Sequence, residues 1–279
     1  MSVFLGFVVG VLAVRLLVGA TGELRAVDGL ARTNLRGRRV PTAMGLLAVL
    51  AVVIIEGGRS LFGAFGVGNA PGDPARILVL AACVGFGLLG LFDDLVGSDG
   101  DHGFRGHFTA AAHGRITTGF VKVVGGAALA VVLVSANRTD ISGVWVVADA
   151  VLVALAANLS NLFDRAPGRA IKIGLVAWIP IALVARADSV GVAVAPAIGA
   201  FAGLLGDDLH ERLMLGDTGA NVLGGVLGLA VVLECAATAR IAVLCVLVAL
   251  TIVSEWISFS RVIERVPGLR NLDRLGRGA

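Results

Sequence analysis

The sequence predicts an all-α polytopic membrane protein with about nine transmembrane helices. Of its 279 residues, 57% are hydrophobic and only 15% are charged, and the mean hydropathy is +0.92. A soluble domain cannot bury that much apolar surface, so a membrane protein is expected. The apolar runs are long and continuous and do not alternate with polar residues, which favours helices over a barrel.

Nine apolar runs reach or approach the length that crosses a bilayer. They cover about residues 2–20, 41–57, 76–92, 118–136, 143–160, 171–186, 190–206, 219–235 and 239–259. The 39 glycines suit close packing of helices in lipid. We therefore expect residues 1–279 to form a single integral membrane domain, with 259–279 as a basic tail.

The basic residues are divided unevenly between the two sets of loops. One set contains Arg59, Arg76, Arg138, Arg186 and Arg240. Arg15 lies inside the first run, and the other 17 of the 23 Lys and Arg residues lie in the opposite set. The positive-inside rule places that richer set in the cytoplasm. The N-terminus is then outside, the C-terminus is cytoplasmic, and the protein is a multi-pass protein of the cytoplasmic membrane.

Three polar stretches lie at the ends of apolar runs, all on the predicted cytoplasmic side. They are Phe92–Asp94, Asn158–Asp164 and Gly216–Gly219. Carboxylate and amide oxygens gathered at such a boundary suit a hard divalent cation and a diphosphate. A transporter would instead place its polar groups near the bilayer midplane. The pattern therefore indicates chemistry at the membrane surface.

Asp93 and Asp94 are adjacent where a helix leaves the membrane. Neighbouring residues on a helix diverge by about 100°, so the two carboxylates cannot hold one ion as equals. One is expected to face a metal or phosphate and the other a nearby base or loop, and the two roles are interchangeable. The simpler alternative is a helix boundary with two solvated acids, although anions there oppose the helix dipole.

The stretch Asn158–Asp164 has both a functional and a structural interpretation. Asn158, Asn161 and Asp164 recur every three residues and share one helix face, where they could bind Mg²⁺ or simply cap the helix. Arg165 and Arg169, which follow, favour binding of phosphate oxygens.

Asp217 opens a helix between glycines and is either an N-cap or part of an anion and metal site. Lys122 is either a membrane anchor or a phosphate ligand.

Cys83, Cys235 and Cys245 all lie in apolar runs, so neither a disulfide framework nor a cysteine metal site is expected. The four His residues lack zinc spacing and are expected to be loop residues.

These motifs together resemble the polyprenyl-phosphate N-acetylhexosamine-1-phosphate transferase superfamily, from about Asn34 to Glu264. Val40–Gly45 is similar to the family's first cytoplasmic loop, in which Thr42 is expected to contact substrate. Asp93 and Asp94 resemble its aspartate pair, and Lys122 resembles the lysine that follows. Asn161 and Asp164 resemble the family's Asn-x-x-Asp motif. Asp217 resembles the family's principal magnesium ligand.

The resemblance implies transfer of a sugar-1-phosphate from a nucleotide sugar, expected to be a UDP-sugar, to a polyprenyl phosphate, with release of UMP. Mg²⁺, or Mn²⁺ in its place, would be held by Asp217 and Asp94, while Asp93 would assist deprotonation or positioning of the lipid phosphate. Lys122, Asn158, Asn161, Asp164, Arg165, Arg169 and Thr42 would bind substrate. The implied pathway is cell-wall or surface glycan synthesis. Homodimers are expected by analogy, and no nucleic-acid partner is expected.

The sequence departs from the family pattern at several points. Pro167 stands where a second Asp follows Asn-x-x-Asp, the segment between Asp94 and Lys122 is long, and Val266–Arg270 replaces a His-rich loop. The missing second Asp and the missing His-rich loop support an alternative, a non-catalytic or transport-type lipid-binding protein derived from the same superfamily. The tail 259–279 is either an amphipathic segment on anionic lipid or an ordinary positive flank.

Overall fold

The computed structural model describes residues 2–22, 28–34, 36–68, 72–97, 117–137, 142–186 and 188–277. These residues form a helical bundle. Its long helices are α1 Val3–Ala20, α2 Gly45–Ala64, α3 Pro74–Val96, α4 Thr118–Asn137, α5 Gly143–Phe163, α6 Arg169–Ala185, α7 Ser189–Leu209, α8 Gly216–Glu234 and α9 Ala237–Ser254. Two short helices follow, α10 Phe259–Arg265 and α11 Pro267–Arg274.

The predicted fold class is confirmed. Each predicted apolar run corresponds to one of the nine long helices, and eight of these are long and apolar enough to cross a membrane. The remaining one, α6, has 17 residues and contains Pro180. Seven residues of the basic and histidine patterns lie outside the described ranges, namely Arg25, His102, Arg105, His107, His113, Arg115 and Arg138.

Several helices begin where the sequence supplies an N-cap. Asp73 accepts hydrogen bonds from the backbone of Ala75 at 3.0 Å and of Arg76 at 3.3 Å, directly before Pro74 opens α3. Asp188 caps α7 through the backbone of Gly191 at 2.9 Å. Such side-chain acceptors satisfy amides that have no partner within the helix, which matters most where little water is present.

Helix α8 is the centre of the bundle. It contacts each of α2 to α7, and 83% of the residues in its apolar 18-residue stretch are buried. The corresponding share is only 22% for α1 and 11% for α9. Phe4, Leu16 and Leu183 expose more than two-thirds of their surface, as expected of side chains that face lipid. The motif Gly216–Gly219 therefore opens the helix with the most neighbours.

A small hairpin stands between α1 and α2. Strands β1 Ala31–Thr33 and β2 Arg39–Pro41 pair antiparallel, with Ala31 opposite Pro41. The chain after β2 hydrogen-bonds to the segment that leads into α8, because Pro41 accepts from the backbone of Met214 at 2.7 Å. The hairpin thereby fixes the entrance to α8.

Candidate active site

Asp94 joins the end of α3 to the start of α8. Its carboxylate accepts hydrogen bonds from the backbone amides of Asp217 at 3.0 Å and Thr218 at 2.9 Å. It also accepts from the Thr218 hydroxyl at 2.6 Å. Asp94 therefore serves as an N-terminal cap for α8 from a different helix, where the positive end of the helix dipole favours a carboxylate. This role was not foreseen from the sequence.

Glycines let the other helices approach this point closely. A Cβ atom on Gly90 of α3 would lie 2.4 Å from the Asp217 carbonyl oxygen, and one on Gly45 of α2 would lie 2.1 Å from Gly219 Cα. Gly216 has a φ of +71°, which side-chain-bearing residues rarely adopt. The position of Asp217 thus depends on the absence of side chains at three sites around it.

Lys122 binds two of the predicted acids at once. Its Nζ atom, on the first turns of α4, donates to Asp93 Oδ2 at 2.8 Å and also to Asp217 Oδ2. Asn161 on α5 donates to the same Asp217 oxygen at 3.2 Å. The side chains from α3, α4, α5 and α8 therefore meet in one hydrogen-bonded cluster. The structure thus brings together one residue from each of the aspartate pair, the Asn-x-x-Asp motif and the Gly216–Gly219 motif, with Lys122 between them.

Asp164 lies just after the end of α5, beside this cluster. Burial, followed by the negative charges of Asp208, Asp217 and Asp94, raises the pKa of Asp164 well above its ordinary value. A hydrogen bond from the Gly216 backbone opposes that shift in part. The surroundings of Asp164 thus contain more negative than positive charge, and a bound cation would relieve this repulsion.

Asp207 and Asp208, at the end of α7, were missed by sequence reasoning. Asp208 accepts from the Gly168 backbone at 2.9 Å and so holds the turn before α6. Asp207 is buried and pairs with Arg15 of α1, which explains a basic residue within the first apolar run. They could have been found from the sequence, because they are two adjacent acids at the end of an apolar run, the pattern that also singled out Asp93 and Asp94.

Glu211 organises the loop between α7 and α8. It accepts from Arg36 at 2.9 Å and from Asn34, both in the hairpin turn. Thr42 is buried beside this loop, and its backbone donates to Leu30 at 2.6 Å. The predicted substrate contact of Thr42 stays a prediction, because the contact shown here is structural.

The structure corrects the expectation that Arg169 is available to phosphate. Its guanidinium is buried and donates to both carboxylate oxygens of Asp273, at 2.8 and 2.9 Å, and to the Ser260 hydroxyl at 2.8 Å. Lys172 donates to the backbone of Asp273 at 2.6 Å. These basic groups hold the C-terminal helices against the start of α6. Arg165, by contrast, is exposed and can reach an anion.

The same tail covers the position where the family pattern has a second Asp. Arg277 Nε donates to the Pro167 carbonyl oxygen at 3.0 Å, and Arg277 also pairs with Asp273 at 2.7 Å. The tail is therefore packed against the bundle through Asp273 and is more than a loose positive flank. Leu269, Leu272 and Leu275 remain exposed on its other side.

A cavity of about 270 Å³ extends from the cluster between α3, α4 and α5. Lys122, Asn158 and Asn221 provide its polar groups, and the rest of the lining is mainly apolar, including Phe86, Val131 and Val147. A second cavity of about 480 Å³ lies between α5, α6, α8 and α9 and is lined almost wholly by apolar side chains. Both could take a hydrocarbon chain.

The donor chemistry of the cluster fits a divalent cation. Among the described residues, no three His, Cys, Asp or Glu side chains are already arranged around a common metal position. The Lys122 ammonium nevertheless lies between carboxylates of Asp93 and Asp217, so these oxygens already hold a cation. Carboxylate and amide oxygens are the ligands that Mg²⁺ prefers. Asp164, which lies near the negative charges of Asp208, Asp217 and Asp94, is the acid beside which a further cation would relieve repulsion.

Comparisons with known proteins match the region of the chain that contains this site. The sequence model of glycosyl transferase family 4 matches residues 76–235, more than half of the chain. The phospho-N-acetylmuramoyl-pentapeptide-transferase of Halalkalibacterium halodurans is 27% identical over 196 residues, which are 67% of this chain and 58% of that relative. The chain thus spans little more than half the length of this curated relative.

The matched region begins in α3 and ends just after α8, so it includes every member of the hydrogen-bonded cluster. The extent of that match, together with the motifs and their convergence, shows that this chain is a member of glycosyl transferase family 4, within the polyprenyl-phosphate N-acetylhexosamine-1-phosphate transferase superfamily.

Proposed function

We propose that this protein transfers a sugar-1-phosphate from a UDP-sugar to a polyprenyl phosphate at the cytoplasmic face of the membrane, in a reaction that requires Mg²⁺. One observation carries the proposal. Asp93, Lys122, Asn161 and Asp217, from four helices, form one hydrogen-bonded cluster at a single end of the bundle. The proposed pathway is synthesis of a cell-wall or surface glycan.

The charges of the cluster suit a reaction between two anions. The lipid phosphate and the nucleotide diphosphate repel each other, so positive charge must offset this repulsion as they approach. Lys122 supplies one such charge and is held in place by Asp93 and Asp217. Asp217 is the proposed main ligand of Mg²⁺, which when bound would neutralise phosphate oxygens. Asp94 contributes by fixing the start of α8, so that the Asp217 backbone is held in place.

The proposed step is an exchange of one P–O bond for another. An oxygen of the lipid phosphate bonds to the β-phosphorus of the UDP-sugar, and the bond from that phosphorus to the bridging oxygen of the diphosphate breaks. UMP leaves with that oxygen, and the product is a polyprenyl diphosphate sugar. Asp93 orients the attacking phosphate through Lys122, and no oxidant or further reactant is needed.

The two substrates can be assigned to different parts of the site. The cavity between α3, α4 and α5 has Lys122 at its polar end and an apolar lining, which suits a phosphate head with a hydrocarbon chain. The donor would contact Asn161, Asp164 and the exposed Arg165. Because Pro167 replaces an acidic residue and is covered by Arg277, we expect nucleotide recognition to differ from the usual family pattern.

The relative from Halalkalibacterium halodurans is named for transfer of a phospho-N-acetylmuramoyl-pentapeptide. That name supports a phosphosugar donor for this chain and a role in the synthesis of peptidoglycan or a related glycan. The alignment covers 58% of the relative, so the sugar must be identified by experiment.

The test is turnover by the full-length protein in lipid nanodiscs. Polyprenyl phosphate is supplied with a panel of radiolabelled UDP- and CDP-sugars, with Mg²⁺ or with EDTA, and release of the nucleoside monophosphate is measured. We expect release that depends on Mg²⁺, and we expect Asp217→Asn to abolish it. Asp188→Asn is the matched control, since Asn also caps helices well and Asp188 caps α7 outside the cluster.

Two outcomes would overturn the proposal. Undiminished turnover in Asp217→Asn would remove the assignment of the site. Failure of the wild-type protein to release a nucleotide from every donor, while it still binds polyprenyl phosphate, would favour the non-catalytic lipid-binding alternative.

A further inference from the structure

Two carboxamides in the cavity between α3, α4 and α5 have a nitrogen atom without a hydrogen-bond partner among the described residues. The Nδ2 atoms of Asn158 and Asn221 are buried and donate no hydrogen bond within the part of the chain that the structure describes. Asn221 exposes only 4% of its surface, and both residues line the cavity together with Lys122. A buried amide without a partner lowers stability, so its retention in an apolar lining needs an explanation.

Both amides lie deeper in the bundle than the charged cluster. Asn221 follows Asp217 by four residues on α8, and Asn158 precedes Asn161 by three residues on α5. Each is therefore about one helical turn, or roughly 5 Å, further from the end of the bundle. Hydrocarbon cannot accept a hydrogen bond, so an occupant that satisfies these donors must bring oxygen into the cavity.

The donor and acceptor substrates differ in their fit to this place. A UDP-sugar is polar along its whole length, whereas most of the lining is apolar. A prenyl phosphate combines anionic oxygens with a hydrocarbon chain that can extend past Val131 and Val147. Water could also occupy a cavity of about 270 Å³ with these polar groups, and it is one of the outcomes that the test below distinguishes.

We propose that Asn158 and Asn221 donate hydrogen bonds to the phosphate oxygens of the acceptor lipid and so set the depth of its head group below Lys122. This inference rests on the proposed function and goes beyond it, because it makes Asn221 a determinant of acceptor specificity. The two amides and the ammonium then discriminate a phosphorylated polyprenol from the unphosphorylated alcohol.

The test separates binding of the acceptor from binding of the donor. Asn221→Leu removes the amide and retains side-chain volume, and Asn221→Ala is the second variant in case leucine packs badly. We expect the KM for polyprenyl phosphate to rise about 10- to 100-fold, as for loss of a hydrogen bond to a charged group. The KM for the nucleotide sugar should stay unchanged. The melting temperature should not fall, because an unpaired amide is removed.

The matched control is Ser160→Ala. Ser160 also lies on α5, but it lines the second cavity, between α5, α6, α8 and α9. We expect that variant to keep the wild-type KM for the acceptor.

Equilibrium binding distinguishes failure of this inference from failure of the proposed function. Wild-type protein should bind polyprenyl phosphate more tightly than polyprenol, inorganic phosphate should compete only weakly, and Asn221→Leu should reduce the preference for the phosphorylated lipid. This measurement requires no turnover. An unchanged acceptor KM and preference in Asn221→Leu, or an equal rise in the KM of both substrates, would show that the amides bind water or serve packing alone.

Discussion

Asp93 and Asp94 are neighbours in the chain, yet their carboxylates have separate partners. Asp93 binds Lys122, and Asp94 caps α8 through two backbone amides and a hydroxyl. The angle of about 100° between adjacent helical residues is the cause. One acid is thereby directed toward the substrate-facing cluster, while the other stabilises the helix that carries Asp217.

Substitution of each acid by its amide should separate these two roles. Asp94→Asn keeps the shape but loses the charge that strengthens the hydrogen bonds, and we expect it to lower the free energy of unfolding by about 1–3 kcal/mol. Asp93→Asn should reduce turnover strongly with a smaller loss of stability. Thermal unfolding in detergent and the nucleotide-release assay measure the two effects. Equal losses of stability in both variants would contradict the division.

At the scale of helices, the site depends on backbones that nearly touch. Gly90 of α3 and Gly45 of α2 lie against the first turn of α8, where a Cβ atom would collide with backbone. Backbone atoms cannot turn aside as a flexible side chain can. A methyl group added at either glycine must therefore move α8, and Asp217 with it.

Gly90→Ala should consequently cost more than the same change elsewhere in a helix. Overpacking against backbone is expected to lower the free energy of unfolding by about 1–3 kcal/mol and to displace Asp217, so that turnover falls. Gly58→Ala in α2 is the control, because no atom lies within 4 Å of its added Cβ. That variant should be neutral or slightly stabilising. The prediction fails if both variants unfold at the same temperature.

The C-terminal helices α10 and α11 are held by a buried ion pair. Breaking such a pair leaves a buried charge without its partner, so Asp273→Asn should lower the local stability of the tail by about 3–5 kcal/mol. Hydrogen exchange across residues 259–277 measures this loss. Glu264→Gln is the control, since the Glu264–Arg274 pair is exposed and should contribute at most about 1 kcal/mol.

Tail docking should not depend on pH between 5 and 7 and should weaken only in stronger acid. Burial favours a higher pKa for Asp273, but hydrogen bonds and charge from Arg169, with the charge of Arg277, outweigh it and lower the pKa below its ordinary value. A carboxyl group with a lowered pKa stabilises docking at pH values above its unfolded pKa and loses that effect as the pH falls through the lowered value. Exchange should therefore be equal at pH 5 and pH 7 once corrected for intrinsic rates. Loosening that begins above pH 5 would contradict this assignment.

At the scale of the whole molecule, two cavities are candidate binding sites for the hydrocarbon chain of the acceptor lipid. The smaller one opens from the charged cluster and contains Lys122, Asn158 and Asn221, whereas the larger one is almost wholly apolar. Only the smaller cavity combines a cationic group with a hydrocarbon-compatible lining. We therefore assign the acceptor chain to it.

Filling one cavity at a time tests this assignment. Ala154→Phe places a ring in the smaller cavity and should raise the KM for a long polyprenyl phosphate by about 10-fold or more, with less effect on a short prenyl phosphate. Ala177→Phe does the same in the larger cavity and should leave both KM values near those of the wild type. Steady-state kinetics with the two acceptors decide the point, and the reverse pattern would move the chain to the larger cavity.

The sequence by itself determined the membrane class, the nine apolar segments and the residues of the charged cluster. These features are local: hydropathy, helix length and residue type are read along the chain, and polar residues at helix ends are conspicuous among apolar ones. The resemblance to the superfamily then added the expectation that Asp93, Lys122, Asn161 and Asp217 belong to one site.

Only the tertiary structure decided which partner each side chain has. Arg169 could have bound phosphate, but it faces Asp273, about a hundred residues later in the chain. Asp94 caps a helix that begins at Gly216, and the Nδ2 atom of Asn221 faces no acceptor among the described residues. Such pairings depend on how helices distant in sequence pack around α8. Sequence spacing specifies the face of one helix, whereas the packing of several helices determines what that face meets.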